Sequence, residues 1–183
     1  EPITRWCDAR RLDIAQRLAL FLIVCDAVDA AHRALIVHRD IKPANILVDA
    51  AGRPKLLDFG IAKLLDDSER EDDTRTGLRR LTPAYAAPEQ FAGGGVTTAV
   101  DIYALGVLLH ELLSGLRPRP GADAVERLPS DAYARSDARA ALAQARGSTP
   151  RALARRLRGD LDTIAATALA PEPARRYASV AAL

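Results

Sequence analysis

A mainly α-helical fold with small β-hairpins is what this chain predicts, and three patterns predict it. From Leu12 to His32, Leu18, Phe21, Leu22, Cys25 and Val28 recur at helical spacing, the pattern of an amphipathic helix with one face on a core. From Thr97 to Leu113, the apolar residues Val100, Tyr103, Leu105, Val107, Leu108, Leu109, Leu112 and Leu113 spread around most of the circumference, so that helix is buried. Between them, Ile36-Val37, Ile46-Leu47-Val48 and Leu56-Leu57 are aliphatic runs too short for helices and separated by turn-forming pieces, which predicts three short strands.

Taken in order, Ile3 to Arg10 reads as a short helix carrying Trp6 as a packing residue. The Leu12 to His32 helix starts at Asp13 with Gln16 three residues on, the spacing of a capping box. The run Asp66 to Asp73 holds six acids and one arginine, cannot bury itself and reads as a solvated loop. Gly93-Gly94-Gly95 is a break without the Lys-Ser/Thr of a phosphate-binding loop. Thr97 or Thr98 caps the buried helix and Gly115 stops it. Pro118 to Pro150 suggests short surface helices joined by loops. Helices at about 150–158 and 160–169 follow, then Pro171 and Pro173 as breakers and the start of a last helix.

Composition narrows the function classes. The 183 residues are 49% hydrophobic and 27% charged, enough for one globular domain with a core. With 26 basic and 24 acidic residues the net charge is +2, too balanced for nucleic acid or an anionic membrane as the main partner. The longest apolar run, Leu18 to Cys25, falls short of the roughly 20 residues of a membrane-spanning helix, and no signal peptide is visible. Cys7 and Cys25 suggest neither a disulfide framework nor a metal site and fit a reducing, cytoplasmic compartment. The chain starts at Glu1 and has no methionine, and is expected to be a piece of a longer protein.

The chemistry concentrates in Ile36 to Gly60, where His38, Arg39, Asp40, Lys42, Asn45 and Asp58 sit on or beside loops between the short strands and can be aimed at one point. His38-Arg39-Asp40, then Lys42 and Asn45, then Asp58-Phe59-Gly60 and later Ala87-Pro88-Glu89 closely resemble the catalytic loop, metal-binding triplet and activation-segment end of eukaryotic-like protein kinases. The resemblance covers nearly the whole chain but only the C-terminal lobe of that fold; nothing resembles the N-terminal lobe. Catalytic loop, activation segment and central buried helix would then be 38–45, 58–89 and 97–113. Flanking stretches such as GDLDTIAATAL are similar to a bacterial Ser/Thr kinase group whose members often carry tetratricopeptide repeats.

The resemblance implies roles for these residues in Ser/Thr phosphorylation of a protein substrate from ATP and Mg²⁺. Asn45 and Asp58 would hold the nucleotide-bound metal through hard oxygen ligands, Asp40 would orient the acceptor hydroxyl, and Lys42 would face the transferred phosphate, as in Ser/Thr rather than Tyr kinases. Leu47 would lie under the adenine, His38 and Phe59 with Gly60 in the packing column between lobes, and Thr82 would bridge Asp40 and Lys42. Arg39 and Lys63 would grip a phosphorylated Thr74 or Thr76. Glu89 would pair with Arg176, and Asp101 would accept backbone N–H groups of the His38-Arg39 turn. Ala44 stands where basic-directed kinases often carry an acid, which argues against a preference for arginine before the target residue. Two rivals exist: a small-molecule phosphotransferase, disfavoured by Lys42 and the Thr82 to Glu89 segment, and a pseudokinase, disfavoured by the retention of Asp40, Asn45 and Asp58. With no strand lysine and no glycine-rich loop ahead of His38, the isolated chain is expected to be inactive.

Overall fold

The computed structural model describes residues 1–58, 84–92, 97–118 and 128–183. In chain order the described elements are α1 (Ile3–Ala9), α2 (Ile14–Arg33), the strands β1 (Ile46–Val48) and β2 (Pro54–Leu56), α3 (Pro88–Phe91), α4 (Thr98–Ser114), α5 (Pro129–Arg135), α6 (Arg139–Ala145), α7 (Pro150–Leu157) and α8 (Asp160–Ala168). Short 3-10 turns follow at Pro173–Arg175 and Val180–Ala182, where a last α-helix was expected.

The central helix α4 follows from its own residues. Thr97 accepts the Ala99 N–H at its start, and Gly115, at φ 85°, closes it in the left-handed conformation. Every residue from Val100 to Ser114 is buried except the half-buried Glu111, so α2, α5 and α8 can pack around it. Gly106 permits a close approach to α8: a Cβ there would stand 2.8 Å from the Ala168 Cβ.

Two buried arginines, Arg17 of α2 and Arg146 after α6, close the far end of α4. Arg146 donates to the carbonyls of Leu113 and Glu111 at 2.6 and 3.1 Å, and Arg17 to that of Leu112 at 3.4 Å and of Ala145 at 2.6 Å. The carbonyls of Glu111, Leu112 and Leu113 belong to the last turn of α4, where intrahelical donors run out and the negative end of the helix dipole lies. Asp8 balances the pair, 2.7 Å from Arg17. Burial, joined by the like charge of Arg17, lowers Arg146 from 12.5 to about 10, which still leaves it charged at neutral pH. The stretch from Pro118 to Pro150 is therefore not all surface: Tyr133 and Arg146 are core residues.

α2 begins two residues later than its periodicity suggested, with Asp13 as cap and a capping box to Gln16. Its core face is Ile14, Arg17, Phe21, Val24, Cys25, Val28 and Ala31, whereas Leu22 is 57% exposed. Burial pushes the Cys25 thiol up to about 12 and raises Cys7, so both are inert packing residues.

The expected strand at Ile36-Val37 is absent among the described residues, and the backbone explains why. The helix ends in a Schellman arrangement: the Ile36 N–H reaches the Ala31 carbonyl and the Leu35 N–H the His32 carbonyl, both at 2.9 Å. The His38 N–H is committed to Asp101. Donors spent on a helix end and a side chain cannot enter a ladder. The other two runs do pair, antiparallel, with Ile46 opposite Leu56 and Val48 opposite Pro54.

Leu35 occupies the left-handed position of that motif at φ 61° with its side chain 94% exposed, so it bears strain without burial in return. Leu35→Gly is expected to stabilise the fold by about 0.5–1 kcal/mol, read as a higher urea midpoint at unchanged slope.

Candidate active site

The site is built on the buried carboxylate of Asp101 in the first turn of α4, which is 1% exposed. It accepts the backbone N–H groups of His38 (2.7 Å) and Arg39 (2.8 Å), and Nε2 of His32 lies 2.8 Å from the same carboxylate. Arg39 sits at φ 67°, a conformation a bulky residue adopts only where its surroundings impose it. Here the two oxygens of one carboxylate grip the consecutive amides that lead into that residue.

The loop that follows places the polar groups together. Lys42 Nζ is 2.7 Å from Asp40 Oδ2. Asn45, 9% exposed in the 3-10 turn Pro43–Asn45, donates through Nδ2 to both the carbonyl and Oδ2 of Asp40 at 2.9 Å. With Nδ2 so engaged, Oδ1 is the acceptor that Asn45 offers.

The hairpin then returns the chain to the same end of the sheet, where Asp58 follows β2. Because Ile46 pairs with Leu56, Asn45 and Asp58 flank one end of the two-stranded sheet. The Leu57 N–H donates to the Asn45 carbonyl at 2.8 Å, and the Leu57 carbonyl lies 3.0 Å from His38 Nε2. His38 Nδ1 accepts the Asp40 N–H at 3.3 Å, so the ring bridges the loop and the end of β2 as the neutral Nε2–H tautomer. Burial lowers its pKa. Asp58 is exposed at φ 53°. An amide oxygen and a carboxylate at the same end of the hairpin are hard donors of the kind that fit Mg²⁺, which keeps waters and substrate oxygens as its other ligands. Among the described residues no group of three or more His, Cys, Asp or Glu gathers as a metal cage. Leu47 is half-buried on β1, opposite Lys55.

Arg176 and Glu89 form a bidentate pair at 2.6 and 2.8 Å, and the Arg176 side chain is fully buried. The remaining N–H groups of Arg176 reach the carbonyls of Ala99, Ala170 and Pro171, and its guanidinium lies 4.9 Å from the Tyr103 ring centre. The pair thereby ties α3 to the start of α4 and the end of α8. Beside Asp40 a pocket is lined by Ile41, Tyr85, Ala86, Gln90 and Val100. Tyr85 donates its hydroxyl to Glu111 of α4; burial first, and that bond second, raise the phenol pKa. Neither His32 nor the Tyr85–Glu111 contact was anticipated, since a histidine in a last helical turn and a lone tyrosine carry no distinguishing spacing. Phe59, Gly60, Lys63, Thr74, Thr76 and Thr82 lie outside the described residues.

A family model described as "Protein kinase domain" matches residues 6–181. The chain belongs to the protein kinase family. Kinases similar to it include the serine/threonine-protein kinase PknL of Mycobacterium tuberculosis, 38% identical over 168 residues that make up 91% of this chain and 38% of the relative. Another is Pkn1 of Myxococcus xanthus, 40% identical over 163 residues, 87% of this chain and 22% of the relative. The crystal structure of the PknI kinase domain of Mycobacterium tuberculosis superposes with a TM-score of 0.63 at 28% identity, over 98% of this chain and 58% of that one. The chain therefore spans between about a fifth and two fifths of these curated kinases. No helix among the described residues is long and apolar enough to cross a membrane.

Two outcomes follow from the geometry. Glu89→Ala strands the Arg176 guanidinium in the core and is expected to cost about 3–5 kcal/mol in urea unfolding. The second concerns pH. Burial lowers the pKa of His38 and of His110, whose Nδ1 lies 2.8 Å from the Leu116 carbonyl. Below about 6.5 the unfolded chain therefore binds more protons than the folded one, and stability present above that pH is lost as pH falls, by up to about 1.4 kcal/mol per pH unit per histidine. Urea midpoints between pH 7.5 and 5.5 are expected to fall, and to fall less in His110→Gln.

Proposed function

We propose that this chain is the C-terminal lobe of a bacterial, eukaryotic-like Ser/Thr protein kinase, transferring the γ-phosphate of ATP to serine or threonine hydroxyls of proteins. The observation that supports this reading is the cluster at the end of the hairpin, where Asp40 is held by Lys42 and Asn45, with Asp58 following the second strand at that same end. In this reading Asp40 orients the acceptor hydroxyl, and Lys42 balances charge on the transferred phosphate. Asn45 Oδ1 and Asp58 hold Mg²⁺, and Leu47 supports the adenine. Thr82 bridges Asp40 and Lys42, while Phe59 and Gly60 continue the packing column from His38. Arg39 and Lys63 receive a phosphate on Thr74 or Thr76.

The N-terminal lobe, with its phosphate-gripping lysine and glycine-rich loop, completes the enzyme, and tetratricopeptide repeats lie elsewhere in the parent protein. Two buried cysteines that form no disulfide fit a cytoplasmic setting. In the substrate-side reading, a protein segment carrying the hydroxyl approaches Asp40 past Tyr85, Ala86 and Gln90.

The test is a pair of substitutions in the full-length protein. Asp40→Asn is expected to lower the transfer rate about a hundredfold or more with nucleotide affinity nearly unchanged, because Asp40 faces the hydroxyl. Asp58→Asn should instead weaken Mg²⁺-ATP binding, measured by calorimetry. Equal loss of nucleotide affinity in both variants would overturn this division of roles. Residues 1–183 by themselves are expected to show Mg²⁺-ATP-dependent turnover about a thousandfold or more below the full-length protein, since positioning and electrostatic clamping supply most of phosphoryl transfer.

A further inference from the structure

We propose that the outer face of α7 is a docking surface for a second copy of this chain, and that what it receives is the acidic run Asp66 to Asp73 of that copy. Charge and exposure carry this, independently of the kinase reading. From Ala138 to Gly159 the chain holds six arginines and no acid, although its whole length carries a net charge of only +2. One of the six, Arg146, is buried on the end of α4, and the other five, Arg139, Arg151, Arg155, Arg156 and Arg158, are exposed. Four of these belong to α7 and its C-cap. The helix turns Leu153 and Leu157 into the core, so Arg151 and Arg155, one turn apart, stand on the opposite side with Arg156 and Arg158 flanking them.

Elsewhere exposed arginines are paired locally: Arg33, Arg53, Arg135 and Arg175 each meet an acid three or four residues away. Arg151, Arg155, Arg156 and Arg158 meet none among the described residues. Helix stability does not account for them as a set. Arg155 and Arg156 suit the negative C-terminal end, but Arg151 sits in the first turn, where a cation opposes the dipole, and it repels Arg155 one turn on. These charges are left for a partner.

The chain itself carries the complement. Asp66 to Asp73, outside the described residues, has six acids and one arginine, a net charge of −5 against the +5 of the exposed arginines. Guanidinium groups take carboxylates in bidentate pairs, so a run dense in acids suits a face dense in arginine rather than lysine. Each copy holds both halves. Two copies can therefore pair reciprocally about a two-fold axis, and every contact is made twice.

The experiment is sedimentation of the full-length protein against concentration and salt. Wild type is expected to self-associate reversibly at about 0.05 M salt and to do so at least about tenfold more weakly at about 0.3 M, because salt screens attraction between exposed charges. Arg151→Glu/Arg155→Glu/Arg158→Glu and, separately, Asp66→Lys/Asp67→Lys/Asp72→Lys/Asp73→Lys should each stay monomeric where wild type associates. An equimolar mixture of the two variants should restore the dimer, since each supplies the charge the other now needs, a result that misfolded variants could not give. Association that survives in both variants, variants that fail to pair when mixed, or a wild-type protein that stays monomeric at low salt would overturn the proposal. Unchanged association together with lost binding to phosphatidylglycerol vesicles in the α7 variant would instead assign the arginines to a membrane surface.

Discussion

A single buried carboxylate, that of Asp101, is the constraint on which the rest depends. It costs free energy to bury, and the cost is met by converting it into the seat of a loop that could not otherwise hold its shape. The strained Arg39 and the polar cluster after it stand on that seat. The central helix exists, in this sense, to bring one acid into a place water does not reach.

From that seat the geometry propagates through the shortest sheet possible. The strands of the hairpin have three residues each, yet their register sets Asn45 and Asp58 at the same end of the sheet, and His38 locks the strand end to the loop. A slip of one residue would shift Asp58 relative to Asn45 and turn Ile46 and Val48 out of the core, so the buried pair enforces the register of the polar one. Packing and site geometry are here the same requirement.

Much of this was legible in the sequence, for identifiable reasons. The central helix announced itself because its residues are apolar on nearly every side, and α2 because a capping box marks its start. The polar residues of Ile36 to Gly60 stood out because acids and an amide among aliphatic runs are costly unless used. What escaped notice were donors and backbone geometry. Arg17 was not singled out and Arg146 fell in a stretch expected at the surface, since nothing local tells an arginine that backbone carbonyls far along the chain await it. The strand at Ile36-Val37 failed because a leucine stands where a helix of this kind usually ends on glycine, hiding the stop signal. His32 escaped because its partner is 69 residues away.

The two ends of the central helix are pinned by opposite charges: an acid in its first turn, arginines on the carbonyls of its last. That makes the intervening length a measured quantity. Adding or deleting one residue between Asp101 and Glu111 would rotate one end by about 100° against the other and shift it by about 1.5 Å. Either the carboxylate would leave the loop or the carbonyls would leave the arginines, and no rearrangement of side chains could recover both. Point substitutions along this helix can be absorbed by repacking, but a change of length cannot, so over time the segment should tolerate drift in its composition and none in its spacing.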